Sequence, residues 1–240
     1  MAVTLLAPGL ARAGTPDAME ILKKMQQVVN GFEDTEMEID LSITDARGKS
    51  KTYGFNVKQR GAQRLMVFKS GEAKGQAVLV ESLTSMYIYL PPPMNKVQQV
   101  AMGNMRQSFL GSDWNNTDIS VVDWSEQYHV ALDHEDEGFW YLKLTPKDPA
   151  RSDYAWLVHK IGKEDPRLWG TEYFNSKGEH VKSFWVEDIR AFDGGQVWPH
   201  RVGMKDPRTG HKSIMDIKAF RVNQGFKADM FTPRYLKWLK

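Results

Sequence analysis

Residues 86–119 read MYIYLPPPMNKVQQVAMGNMRQSFLGSDWNNTDI, and they interrupt an otherwise steady rhythm of short strands. The stretch opens as an aromatic strand and meets Pro91, Pro92 and Pro93, residues that lack the N–H a sheet ladder requires. A basic, methionine-rich connector follows, and then the compact run Ser108-Phe109-Leu110-Gly111-Ser112-Asp113-Trp114. The sequence on either side of this break settles the fold class.

On the N-terminal side, Thr15-Pro16-Asp17 has the form of a helix start, with a hydroxyl cap, a proline at the first helical position and an acid in the first turn. Ile21, Met25, Val28 and Phe32 recur at helical spacing, and Gly31 ends the pattern. Only two basic residues, Lys23 and Lys24, mark the polar face, so this helix is expected to pack on a sheet in preference to lying on a membrane. From Thr35 the period changes to two. Met37, Ile39, Leu41 and Ile43 alternate with Glu36, Glu38, Asp40 and Ser42, and Tyr53, Phe55 and Val57 alternate again after a turn at Asp45–Lys49, which predicts an antiparallel hairpin. Further strands are predicted over 64–69, 76–81 and 85–90.

On the C-terminal side, predicted strands cover 121–132, 139–145, 155–161, 168–174, 181–192, 197–204 and 212–220. Gly194-Gly195 marks a tight turn, and Phe231–Leu236 a closing turn of helix. About ten or eleven strands at this spacing, with helices only at the ends and the centre, describe an antiparallel sheet curled on itself. The class is mainly β.

The composition narrows function. Thirty-two basic residues face thirty acidic ones, so nothing points to nucleic acid. The chain has no cysteine, which removes disulfides, thiolate metal sites, cysteine nucleophiles and a lipidated N-terminal cysteine. Twelve Met, eleven Phe, eight Trp and eight Tyr suit a deep core or a cavity for apolar ligands. Residues 2–13, AVTLLAPGLARA, end in small residues at the positions an export signal needs. Residues 1–13 are therefore expected to be a truncated secretory-signal remnant, favoured over a plain tail, and residues 14–240 one domain. No other apolar run is long enough to span a membrane.

No phosphate-binding glycine loop, G-x-S-x-G elbow or H-E-x-x-H spacing is present. His129, His134, Glu135, Asp136 and Glu137 could hold a divalent cation, but with Asp133 they put four acids within the five residues before Gly138, which reads better as a solvated turn. Ser112-Asp113 has no histidine near it in sequence to act as base, so it reads as a turn or cap. Arg106, among Met102, Met105, Phe109 and Leu110, has two open readings: a partner for a buried carboxylate or lipid head group, or a side chain that snorkels to solvent. Trp140, Trp156, Trp169, Trp185 and Trp198 fall on strands, as core or as cavity lining, with core preferred for each. The reading is a non-catalytic protein without cofactor or metal.

Lys74-Gly75-Gln76 with Leu79, Tyr89-Leu90-Pro91, Arg106, Ser108–Asp113 and Asp118-Ile119 resemble the signature of the outer-membrane lipoprotein-sorting proteins, relatives of the periplasmic lipoprotein carrier LolA. The resemblance continues through Tyr173-Phe174, Lys177-Gly178, Lys182, Asp188, Pro199, Met204 and Phe231-Thr232 to Leu236. Asn115-Asn116 departs from it, standing where a more aromatic run is usual. The resemblance implies an incomplete barrel, a strongly curved antiparallel sheet with lid helices over its concave face and a hydrophobic cavity beneath. It implies that residues 91–118 supply a lid helix and connector, and that the lid is held by few polar ties. Candidate cavity and lid residues are Met37, Ile39, Leu41, Tyr53, Phe55, Val57, Met102, Met105, Arg106, Phe109 and Leu110. The implied function is a soluble periplasmic carrier, not lipid-anchored, for the acyl chains of lipoproteins or lipids, with transient membrane contact and an inner-membrane transporter as a candidate partner. The alternative is an accessory module that docks such a transporter through the same half-barrel. An apolar cavity of several hundred Å³ would mark the carrier, and a filled interior with an exposed apolar patch the docking module.

Overall fold

The computed structural model describes residues 17–121 and 123–239. The expected signal remnant, Thr15 and Pro16 lie outside the described residues. Helix α1 (Ala18–Asn30) has Asp17 at its cap position without a side-chain bond, and it buries Ile21, Leu22, Met25 and Gln26. Phe32 lies just past the helix, where its ring meets the edges of Phe220 and Trp198.

Thirteen antiparallel strands form one sheet among the described residues. The first six are β1 (Asp34–Thr44), β2 (Ser50–Arg60), β3 (Gln63–Phe68), β4 (Ala77–Ser82), β5 (Ser85–Leu90) and β6 (Lys96–Gln99). The rest are β7 (Tyr128–Glu135), β8 (Phe139–Pro146), β9 (Trp156–Gly162), β10 (Leu168–Phe174), β11 (His180–Ala191), β12 (Val197–Lys205) and β13 (Lys212–Val222). Two meanders run outward from the centre, where the first and last strands pair. The register slips at Glu38/Ile39, at Tyr173/Phe174 and beside Asp188, and such bulges add twist and curvature. Edge strands β6 and β7 do not pair with each other, so the sheet curls without closing.

This topology gives the central break its role. Residues 100–127 must travel from one edge of the sheet to the other, and they do so across the concave face. Three expectations are corrected here. The prolines do not lead directly into a lid. Asn95, with φ of 42°, completes a turn in which its N–H donates to the Pro91 carbonyl, and the chain returns as β6, pairing Leu90 with Lys96. No lid helix forms within 91–118 beyond a single 3-10 turn at Met102–Asn104. The strand expected from residue 121 begins only at Tyr128, because Asp123 accepts from the Glu126 N–H and caps the one-turn helix α2 (Trp124–Gln127). Asp at a cap with Glu three residues on is a helix-start signal that overrides apolar alternation.

The main core fills the concave side, where α1, Met105, Phe109, Trp114 and Ile119 meet the inward residues of the strands. A second cluster lies on the other face of β3–β5. There Leu65, Ala77, Leu79 and Tyr89 are covered by Phe231 and by Leu236 of helix α3 (Pro233–Leu236). Burial on both faces explains why β4 reads Ala-Val-Leu-Val without alternation. Thr232 caps α3 by accepting from Tyr235 N–H.

Candidate functional site

Two adjoining clefts, of about 290 and 250 Å³, occupy the concave face and share much of their lining. Met37 and Ile39 of β1, Trp114 of the crossing segment, Phe184 of β11, Trp198 and Val202 of β12 and Met215 of β13 border both. The first continues toward Val28, Val121, Trp124, Tyr173 and Met204, and the second toward Phe55, Val57, Met66 and Phe109. Val29, Met37, Trp198 and Met215 remain half-buried, since each has one side against the core and one toward the cleft. The volumes fall near the lower limit of about 300–1,000 Å³ for ligand sites, and the predominantly apolar lining is of the usual kind.

The crossing segment is fixed from above by polar ties. Phe109 N–H donates to the Trp114 carbonyl and Ser112 N–H to the Phe109 carbonyl, making a small loop whose tip needs left-handed backbone at Leu110 (φ 58°) and Gly111 (φ 81°). The loop directs Phe109 inward against Phe55 and Phe68, at ring-centroid distances of 6.5 and 6.2 Å. Asp113 takes the buried Ser213 hydroxyl at 2.6 Å and bonds His211 Nδ1 at 2.9 Å. The histidine that is distant in sequence from Ser112-Asp113 is thus supplied by the residue just before β13, but it meets the aspartate, and Ser112 Oγ donates to the Trp114 carbonyl. No nucleophile–base pair results.

A second set of ties lies deeper. Lys182 Nζ is 2.9 Å from Asp118 Oδ2 and 2.5 Å from the Tyr154 hydroxyl, and Asn115 bonds Asp153, Tyr154 and Asp118. Burial, reinforced by the Asp118 charge, holds the hydroxyls of Tyr154 and Tyr173 well above their usual range, so both stay protonated, and Tyr154 donates to Asp118. Burial also raises Asp153, against the pull of Arg106. His159 is fully enclosed, and burial pushes it down to about 3. Its Nδ1 bonds Thr171 Oγ1 at 2.9 Å, and its Nε2 has no partner. The network and the α1–α2 tie from Gln26 to Asp123 correct the expectation of few polar ties. The asparagines and acids of 113–123 are short, locally bonding side chains, and they anchor the segment to β11, to β13, to the turn before β9 and to α1.

Sequence candidates divide three ways. Met37, Ile39, Phe55, Val57 and Phe109 line the clefts. Leu41, Tyr53 and Met105 are enclosed in the core, while Leu110, half-buried, packs against it. Met102 is more than half exposed, and Arg106 points outward to Asp153 and the Ala150 carbonyl. Of the five tryptophans, Trp198 lines the clefts, and none is fully buried. Trp156, Trp169 and Trp185 border a trough of about 630 Å³ with Tyr141 and Phe174. The acidic turn closes the β7–β8 hairpin, with Asp136 accepting from the Gly138 and Phe139 N–H groups; among the described residues no carboxylate–imidazole group has metal-site geometry.

Strand alternation could have found several missed lining residues, since Phe184/Val186, Val202/Met204 and Met215/Ile217 each sit two apart. Arg64 was also missed. It shares the Met66/Phe68 face of β3, and a lone cation on an otherwise apolar face is the signal.

An open, strongly curved antiparallel sheet crossed by one long connection is the half-barrel of the LolA-like proteins. A family model described as "Uncharacterized protein" matches residues 60–238, and the chain belongs to that family. Among solved structures it is similar to a DUF1329 family protein from Desulfovibrio piger, with 24% identity, a TM-score of 0.82 and coverage of 91% of this chain and 97% of that one. An outer membrane lipoprotein-sorting protein domain from Vibrio parahaemolyticus is 21% identical, with a TM-score of 0.80 and coverage of 92% and 98%. A LolA superfamily protein from Nitrosomonas europaea is 18% identical, with a TM-score of 0.75 and coverage of 92% and 100%. No curated protein matches the sequence. Among the described residues no helix is long and apolar enough to cross a membrane.

Proposed function

We propose that this protein is a periplasmic, non-catalytic carrier that shields acyl chains of lipids or lipoproteins within the concave face of its half-barrel. The observation that supports this most is the pair of adjoining apolar clefts under the crossing segment. Likeness to a lipoprotein-sorting domain and to a LolA superfamily protein agrees with it. Each methylene left in water costs about 0.8 kcal/mol, so a sixteen-carbon chain costs on the order of 12 kcal/mol. A chain in transit between membranes therefore needs an apolar container.

The polar ties of residues 113–123 argue against a freely swinging lid. The chain enters instead between the C-terminal half of α1 and β10–β13, where half-buried Val28, Val29 and Trp198 border the cleft. Leu41, Tyr53, Met105 and Leu110 support the lining from behind, and Phe109 closes one end. Cargo is handed over during transient contact with a membrane or a membrane transporter. Native mass spectrometry with lipid extraction, on protein purified gently from its host, tests this. A copurifying acylated species supports the carrier, and its absence together with failure to take up added fatty-acid probes contradicts it.

A further inference from the structure

Among the described residues Arg64 is the only cation bordering both clefts, and its position is unusual for an arginine. It stands on the apolar concave face of β3, beside Met66, and it borders each cleft together with Trp114. Its Nε donates to the Gln59 amide oxygen Oε1 at 2.9 Å, and its Nη1 donates to the Ile119 carbonyl. Among the described residues it has no carboxylate partner, and Nη2 makes no hydrogen bond. Asp118 also borders both clefts but is engaged by Lys182 and Tyr154. Burial lowers the guanidinium to about 10, with no neighbouring carboxylate to offset it, yet it remains charged near neutral pH. Arg64 is half-buried on an apolar face, and a charge drawn this far out of water is normally paired, because burial without a partner is destabilising. The missing counter-charge faces a space that is otherwise suited to an alkyl chain.

We propose that the cavity takes a single-chain amphiphile whose oxyanion head, a carboxylate or a phosphate, pairs with Arg64 while its chain lies along the apolar clefts. The proposal rests on the carrier reading and adds the ligand class. A guanidinium presents parallel N–H donors that match the two oxygens of such a head, and Nη2 is available for that purpose. The cavity volume, at the small end for ligand sites, suits one chain better than the several chains of a complex lipid. Arg106, the cation that the sequence offered for a head group, is already paired with Asp153 outside the clefts.

The test compares palmitate, hexadecyl phosphate and hexadecanol, ligands of equal chain length, in competition with a fluorescent fatty-acid probe. Wild-type protein is expected to bind at least one of the two anions roughly tenfold or more tighter than the alcohol; which anion is preferred distinguishes a fatty acid from a phosphate-headed lipid. Arg64→Met should bring the anions to the level of the alcohol, and Arg64→Lys should keep part of the preference. Equal affinity of the wild type for all three overturns the inference and leaves the carrier reading intact. An Arg64→Met protein that keeps the preference also overturns it. Binding of none of the three contradicts the carrier reading itself. The wild-type comparison needs no variant, so it stands even if Arg64→Met fails to fold.

Discussion

Asp113 and Ser213 lie one hundred positions apart and exchange two hydrogen bonds, the Asp113 N–H donating to Ser213 Oγ and the Ser213 hydroxyl donating to the Asp113 carboxylate. Ser213 is completely buried, so the exchange excludes water from the point where the crossing segment meets β13. It fixes the loop that holds Phe109 and Trp114 over the clefts.

Replacing Asp113 by Ala leaves the Ser213 hydroxyl and His211 Nδ1 without the carboxylate they share, and a buried unsatisfied group costs about 1–3 kcal/mol. Hydrogen exchange should quicken over residues 108–115 while the amides of β1, β2 and β13 keep their protection. Uniformly faster exchange across the sheet would show that the exchange of bonds supports the whole fold and not the crossing segment.

The Lys182–Asp118 pair makes a second, opposite prediction about reciprocity. Both side chains are largely buried, and removing one partner of a buried pair strands the other at a cost of about 3–5 kcal/mol. Asp118→Ala should therefore destabilise the protein strongly. The double variant Asp118→Ala/Lys182→Met should recover part of the loss, and urea melts of it and of the single variants Asp118→Ala and Lys182→Met measure the coupling. Additive losses would mean that the two residues act independently.

His159 predicts a pH dependence. Its folded-state pKa, about 3, lies below its ordinary value of 6.5 because burial disfavours the charged ring. Between those values the unfolded chain binds a proton that the folded protein does not, so stability falls as pH drops through about 6.5, approaching 1.4 kcal/mol per pH unit. Above that range the histidine contributes no slope. His159→Gln should flatten this part of the stability profile relative to the wild type, and identical profiles would remove His159 as its source.

The sequence carried much of the sheet and less of the cavity. Alternation at Met37–Ile43 and Tyr53–Val57 identified β1, β2 and their inward faces, because a one-residue slip would have exposed the whole apolar set. The same rule failed at β6, where Lys-Val-Gln-Gln is too short and polar to show a period, and a proline-rich turn hid the hairpin. The helix over 124–127 was hidden by an apolar run that the Asp123 cap interrupts. Resemblance supplied the crossing segment's place above the sheet but gave it a helix it does not have. Arg64 and the Asp113–Ser213 contact depend on which strands become neighbours, and that follows from the pairing of the first strand with the last.

The central claim is that an acyl chain lies in the concave face against Phe109, and titrating a fluorescent fatty-acid probe into wild-type protein and Phe109→Asp tests it most directly. Saturable binding to the wild type is predicted, weakened roughly tenfold or more in Phe109→Asp, because a carboxylate beside Phe55 would be desolvated by a bound chain. The β-sheet circular-dichroism signal should persist. Absence of saturable binding to the wild type, or undiminished binding to a folded Phe109→Asp protein, would contradict the account.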